Sequence, residues 1–160
     1  MLTRVQLNIH VDAADHARIT NFGLARVTQS WESMRSASEQ HGHTARWTAP
    51  EILNGNWTYS KEADVFAFAM VMIEVRLVGS LCQTLAYFHV LSPQTFTGAV
   101  PFYNSVPLAV MLAIMRGERP PRPTHPTLTD ELWALAQHCW DQDPYLRPEV
   151  SKVLKVLTDM

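Results

Sequence analysis

The sequence is short of charge, of cysteine and of long apolar runs. Only 18% of its 160 residues are charged and the formal net charge is -2, so no basic surface speaks for nucleic acid. The cysteines are two, Cys82 and Cys139, too few for a disulfide framework, which points to a reducing, cytoplasmic compartment. No apolar run approaches the roughly 20 residues that a membrane span needs. Residues 1–16 are polar and alternating, without the apolar stretch of a signal peptide. Internal repeats are absent. His41-Gly42-His43 has no further ligands at metal spacing, so no metal site is expected. What the chain does have is 47% hydrophobic residues, enough for one domain with a real core and too many for a disordered chain.

That apolar content is densest in residues 60–74, SKEADVFAFAMVMIE. Ser60 suits an N-cap, and Glu62 and Asp64 put negative charge where a helix macrodipole favours it. From Val65 to Ile73 no polar residue intervenes. A helix apolar on every face belongs inside a core. The stretch is therefore predicted to be a buried central helix with the other helices around it.

The rest of the chain supplies those neighbours. Leu7, Ile9 and Val11 alternate with polar residues, and 17–20 follows as a second short strand, which predicts a small N-terminal hairpin. Residues 27–43 are polar, aperiodic and rich in serine and threonine, the pattern of a long functional loop. Pro50 suits the first turn of a short helix. Three further helices are predicted over 105–116, 129–140 and 148–157. Their apolar stripes are Leu108, Met111, Leu112 and Met115; then Leu132, Leu135, Ala136 and Cys139; then Val150, Val153, Leu154 and Leu157. Gly117 falls where a helix ends in the left-handed conformation, Thr129 reads as an N-cap and Pro148 as a first helical residue.

Several motifs in order then resemble one family. Asn21-Phe22-Gly23 stands where protein kinases carry Asp-Phe-Gly, and Ala49-Pro50-Glu51 matches the Ala-Pro-Glu that ends their activation segment. Asp64-Val65 with Phe68 resembles the start of their central C-lobe helix. Cys139-Trp140, Asp143-Pro144 and Arg147-Pro148 resemble their closing motif. The resemblance spans nearly the whole chain, and it implies a single partial kinase domain over 1–160: a mainly α, protein-kinase-like C-terminal lobe, a helical bundle around a buried helix with a small β-hairpin. Arg46-Trp47-Thr48-Ala49-Pro50-Glu51 resembles the tyrosine-kinase or tyrosine-kinase-like branch.

The resemblance also implies a chemistry, ATP-dependent phosphoryl transfer to protein Ser/Thr or Tyr with Mg-ATP as cofactor and a protein as substrate or partner. The glycine-rich loop, lysine strand and glutamate helix would precede residue 1, so the chain reads as truncated. With Asn8 as the metal-binding asparagine of the catalytic loop, the base position is Thr3 and the leading histidine position is Met1. A threonine hydroxyl does not titrate near neutral pH and cannot act as that base. Asn21 replaces the carboxylate that holds magnesium, a weaker ligand for a hard cation; an Asx-turn before Phe22-Gly23 is the competing role. The expectation is a catalytically inactive chain with no Mg-ATP bound, or alternatively a non-catalytic docking module or a truncated gene product. Glu51 is expected to pair with Arg147, Asp64 to accept from catalytic-loop amides and Trp140 to pack in the core. Ser30, Ser33, Ser36, Ser38 and Thr44 could accept phosphate, with Arg26, Arg35 and Arg46 as its partners, although a solvated serine-rich loop explains them better.

Residues 75–94, VRLVGSLCQTLAYFHVLSPQ, have no counterpart in the family pattern. Without them Glu74 meets Thr95 and the text resumes as MIETFTGAVPFYNSVPL. A segment of whole codons that opens on valine, whose codons begin GT, and closes on glutamine, which CAG encodes, has the form of a translated intron. The alternative is a true insertion that prolongs the central helix towards Pro93.

Overall fold

A computed structural model describes residues 9–11, 17–19, 45–56, 60–85, 100–124 and 128–159. Ile9–Val11 (β1) and Ala17–Ile19 (β2) pair antiparallel, with Ile9 against Ile19, His10 against Arg18 and Val11 against Ala17. Ala45–Trp47 makes a 3₁₀ turn, and a short helical stretch follows from Pro50. Its last part, Ile52–Asn56, is interrupted by Gly55 at φ 84, a left-handed value that glycine adopts without a Cβ clash.

Helix α1, Lys61–Leu85, is the axis of the lobe. The Ser60 hydroxyl accepts from the Ala63 amide at 3.1 Å and caps it. Val65, Phe66, Ala67, Ala69, Met70, Val71 and Ile73 are all buried, so every face of this stretch meets protein. Helices α2 (Pro107–Met115), α3 (Asp130–Cys139) and α4 (Val150–Thr158) surround it. Trp47, Ile52, Val110, Ile114, Leu135, Cys139, Trp140 and Val153 close one core with α1. The molecule is mainly α, a bundle around a buried central helix with a two-stranded sheet before it.

Two sequence expectations are corrected in detail and one left open is decided. Of the two ends open to the central helix, near Glu74 or within the following segment, the structure has the second, and the helix continues to Leu85. The physical reason is local: the first proline after Glu74 is Pro93, and the lone Gly79 costs only about 1 kcal/mol in a helix. The last helix starts at Val150 rather than Pro148, because Arg147 and Glu149 are both extended, with ψ of 141 and 149. An extended backbone before Pro148 is what the proline ring demands. The second correction concerns α2. Leu108, Leu112 and Met115 were expected on an inward stripe, yet they face out, and Val110 and Ile114 are the buried pair. A helix with no polar face carries no pattern to choose its orientation, so contact with the Ala45–Trp47 turn and with Ile52–Asn56 decides it.

Candidate functional site

Glu51 and Arg147 lie 96 positions apart in the chain and meet in the interior. Arg147 Nη1 donates to Glu51 Oε1 at 2.7 Å, and Nη2 donates to Oε2 at 2.8 Å. The arginine side chain is wholly buried. Its remaining donors are used too: Nη1 reaches the Glu62 carbonyl and Nε the Asp141 carbonyl, each at 2.9 Å. Planar bidentate geometry with further carbonyl partners is what a buried guanidinium needs. The extended backbone at Arg147 and the Asp143-capped 3₁₀ turn Pro144–Leu146 aim the side chain inward.

Phe66 of α1 lies under two cations. The guanidiniums of Arg119 and Arg147 each sit 5.1 Å from its ring centroid. Arg119 also donates to the Trp140 carbonyl through Nε (2.9 Å) and Nη2 (2.7 Å), and to Gln142 Oε1 at 2.7 Å. Burial, and then the nearby Arg147 charge, pull the Arg119 guanidinium down to about 10, which leaves it charged at neutral pH. The Glu62 carboxyl is held below its ordinary value by backbone and Ser60 hydrogen bonds, with a smaller pull from Arg147.

The segment before Glu51 is tied down as firmly. Trp47 Nε1 donates to the buried carboxylate of Glu74 at 3.1 Å. Arg46 donates to the carbonyls of Pro101 (2.7 Å), Phe102 and Ser105. Phe102 itself holds φ 56, a strained value for a residue with a Cβ. Arg46 is thus engaged in a backbone clamp between the Ala45–Trp47 turn and the turn before α2.

Trp140 is buried and packs edge-on against Trp133, with centroids 5.4 Å apart and planes at 86°. Ala49 and Pro50 are buried, and Asp64 is exposed at the start of α1. Thr3, Asn8, Asn21, Phe22, Gly23, the loop serines, Thr44, Arg26 and Arg35 lie outside the described residues. The catalytic-loop amides expected to face Asp64 lie there too. Cys139 is buried, and burial pushes its thiol up to about 11, which keeps it protonated and unreactive. Among the described residues no group of three His, Cys, Asp or Glu could hold a metal, and no helix is long and apolar enough to cross a membrane.

Sequence reasoning overlooked Arg119, Phe66 and the Trp47–Glu74 pair. Glu74 did leave a trace, as the lone carboxylate ending an apolar helix. Arg119, two residues past the helix-ending Gly117, left none.

An Ala-Pro-Glu carboxylate clasped by an arginine from the closing motif, beside a central apolar helix, defines a protein-kinase-like C-terminal lobe. The chain belongs to the protein tyrosine and serine/threonine kinase family, whose model matches residues 5–157. It is 31% identical over 156 residues to serine/threonine-protein kinase STY17 of Arabidopsis thaliana, covering 96% of this chain and 22% of that protein. It is 29% identical to a probable serine/threonine-protein kinase of Dictyostelium discoideum, covering 96% and 14%. It is 30% identical to atrial natriuretic peptide receptor 2 of Rattus norvegicus, covering 91% and 13%. The chain therefore spans less than a quarter of each of these relatives.

Proposed function

We propose that this chain is a kinase-family C-terminal lobe that does not itself transfer phosphate and acts through protein contacts. The observation that carries the reading is the identity of two residues in the catalytic register. Asn21 takes the place of the aspartate that holds magnesium, and Thr3 takes the place of the base. Phosphoryl transfer in this family needs both a metal-bound triphosphate and an acceptor for the substrate hydroxyl proton. An asparagine carbonyl offers no net charge to the cation, and a threonine cannot take the proton. Mg-ATP is the group the family binds; in this chain Asn8 and Asn21 are the remnants of its site. By contrast, the groups that fix the lobe's shape are intact in Glu51, Arg147 and Trp140.

A second reading keeps phosphoryl transfer to serine or threonine. It is favoured by the names of the plant and amoebal relatives. A relative named as a receptor matches over the same region, so the lobe alone does not specify the reaction. Transfer from radiolabelled ATP to a generic protein substrate separates the two. No incorporation above a no-enzyme control supports the inactive lobe, and incorporation abolished by Asn21→Ala supports the kinase. We further propose that residues 75–94 are not part of the ancestral lobe, since the text on either side joins without them.

A further inference from the structure

Tyr145 is the most exposed large apolar side chain among the described residues, at 90%. A tyrosine held in solvent buries almost no apolar area, so packing does not account for it. Its backbone, by contrast, is firmly fixed. The Tyr145 amide donates to Asp143 Oδ1 at 3.0 Å, and the Asp143 amide donates to Asp141 Oδ1 at 2.9 Å. Arg147, two residues on, is anchored in the interior by Glu51. The turn Pro144–Leu146 is thus pinned on both sides and presents a phenol to solvent.

Charge sets this tyrosine apart. The chain has four, Tyr59, Tyr87, Tyr103 and Tyr145. Only Tyr145 has acidic residues in the five positions before it, Asp141 and Asp143. Neither is in an ion pair among the described residues. Tyr103 is exposed as well, at 64%, but no acidic residue occurs between Glu74 and Glu118. Enzymes that transfer phosphate gather magnesium and basic side chains around the triphosphate, and such a field draws in an acceptor with acidic flanks. Gln142, Asp143 and Leu146 are exposed beside Tyr145, so both flanks are readable in the folded chain. The ring also carries the hydroxyl away from the backbone, and the pinned turn need not enter a cleft.

We propose that Tyr145 accepts phosphate from a tyrosine-specific protein kinase and then marks the lobe for a phosphotyrosine-reading partner. In that enzyme the γ-phosphoryl of Mg-ATP passes to the phenolic oxygen. A P–O bond to the tyrosine forms, the P–O bond to ADP breaks, and the phenolic proton goes to the enzyme's base. The dianion so made has no cation to fold back on. Arg147 is the one cation from 141 to 149, and it is committed to Glu51 and to the Glu62 and Asp141 carbonyls. Asp141 and Asp143 repel the phosphate. It therefore stays in solvent, where the arginines of a partner domain take it. The site goes beyond the reading of the lobe as inactive and does not rest on it.

The test incubates the full chain with Mg-ATP and a purified tyrosine kinase whose activity is checked on a glutamate–tyrosine copolymer. Peptide mass spectrometry should place phosphate on Tyr145 and none on Tyr103. Asp141→Asn with Asp143→Asn keeps an oxygen for each turn amide and removes both charges, so labelling of Tyr145 should slow. Tyr145→Phe should lose that phosphate. Both this variant and the phosphorylated parent should keep the parent melting temperature. Three results overturn the inference: a Tyr145 left bare while the copolymer is labelled, a double Asn variant labelled as fast as the parent, or a melting temperature that the phosphate shifts, which would make it an internal switch. A control without the added kinase separates this transfer from any by the chain itself, so the Tyr145 site and the inactive lobe fail separately.

Discussion

Arg147 reaches 96 residues back along the chain to hold both carboxylate oxygens of Glu51. The pair ties the short helical stretch after Pro50 to the turn before α4, and through the Glu62 carbonyl it ties both to the start of α1. Glu51→Ala leaves a wholly buried guanidinium without its counter-charge, so unfolding by urea should show a loss of about 3–5 kcal/mol. Replacing both partners, Glu51→Leu with Arg147→Met, should recover much of that loss. A double substitution as damaging as the sum of the singles would mean that the two side chains act independently.

Trp47 and Glu74 form a second buried polar link to α1. Trp47→Phe keeps most of the ring volume and removes the indole N–H. The carboxylate then loses a donor in a site closed to water, at a cost of about 1–3 kcal/mol. Glu74→Gln should cost less, because an amide oxygen still accepts from the indole. Thermal melts of the two variants check the order.

Cys139 gives the lobe an alkaline sensitivity. Its folded thiol titrates at about 11 against 9.0 for the ordinary group, because burial disfavours the thiolate. An acid with a raised folded value keeps more protons folded than unfolded. Stability is therefore full below pH 9 and falls as pH rises towards 11. Melting temperatures of the parent should drop across that window, and those of Cys139→Ala should drop less.

Residues 75–85 continue α1 beyond Glu74, yet the sequence on either side of 75–94 joins into the family pattern without them. Deleting 75–94 should leave a folded lobe with a melting temperature at or above the parent's. Sequencing of the mature transcript across the codons for Glu74 and Thr95 should find them joined. A single message that retains the segment would make it a true insertion.

Much of this lobe was legible in the sequence where burial and special backbone coincide with residue type. The all-round apolar run of 65–73, the Ser60 and Thr129 caps and Gly117 at φ 85 each have one physical reason to be where they are. Glu51 and Arg147 were reachable through the motifs that carry them. The orientation of α2 was not, because nine apolar residues give no polar face to read. Nor were the Arg46 clamp and the Arg119–Phe66–Arg147 stack, which depend on carbonyls and rings brought together from distant segments. The length of α1 stayed open in the sequence for a different reason: family spacing suggests a stop at Glu74, whereas local helix propensity carries the backbone on.

The central proposal is that Asn21, in place of the aspartate that holds magnesium, leaves no working Mg-ATP site. A thermal-shift titration of the chain with Mg-ATP tests it most directly, since a ligand held by the native state at 100 times its dissociation constant stabilises it by about 2.7 kcal/mol. The account predicts an unchanged melting temperature at millimolar nucleotide, with and without magnesium. A magnesium-dependent rise, lost in Asn8→Ala or Asn21→Ala, would contradict it.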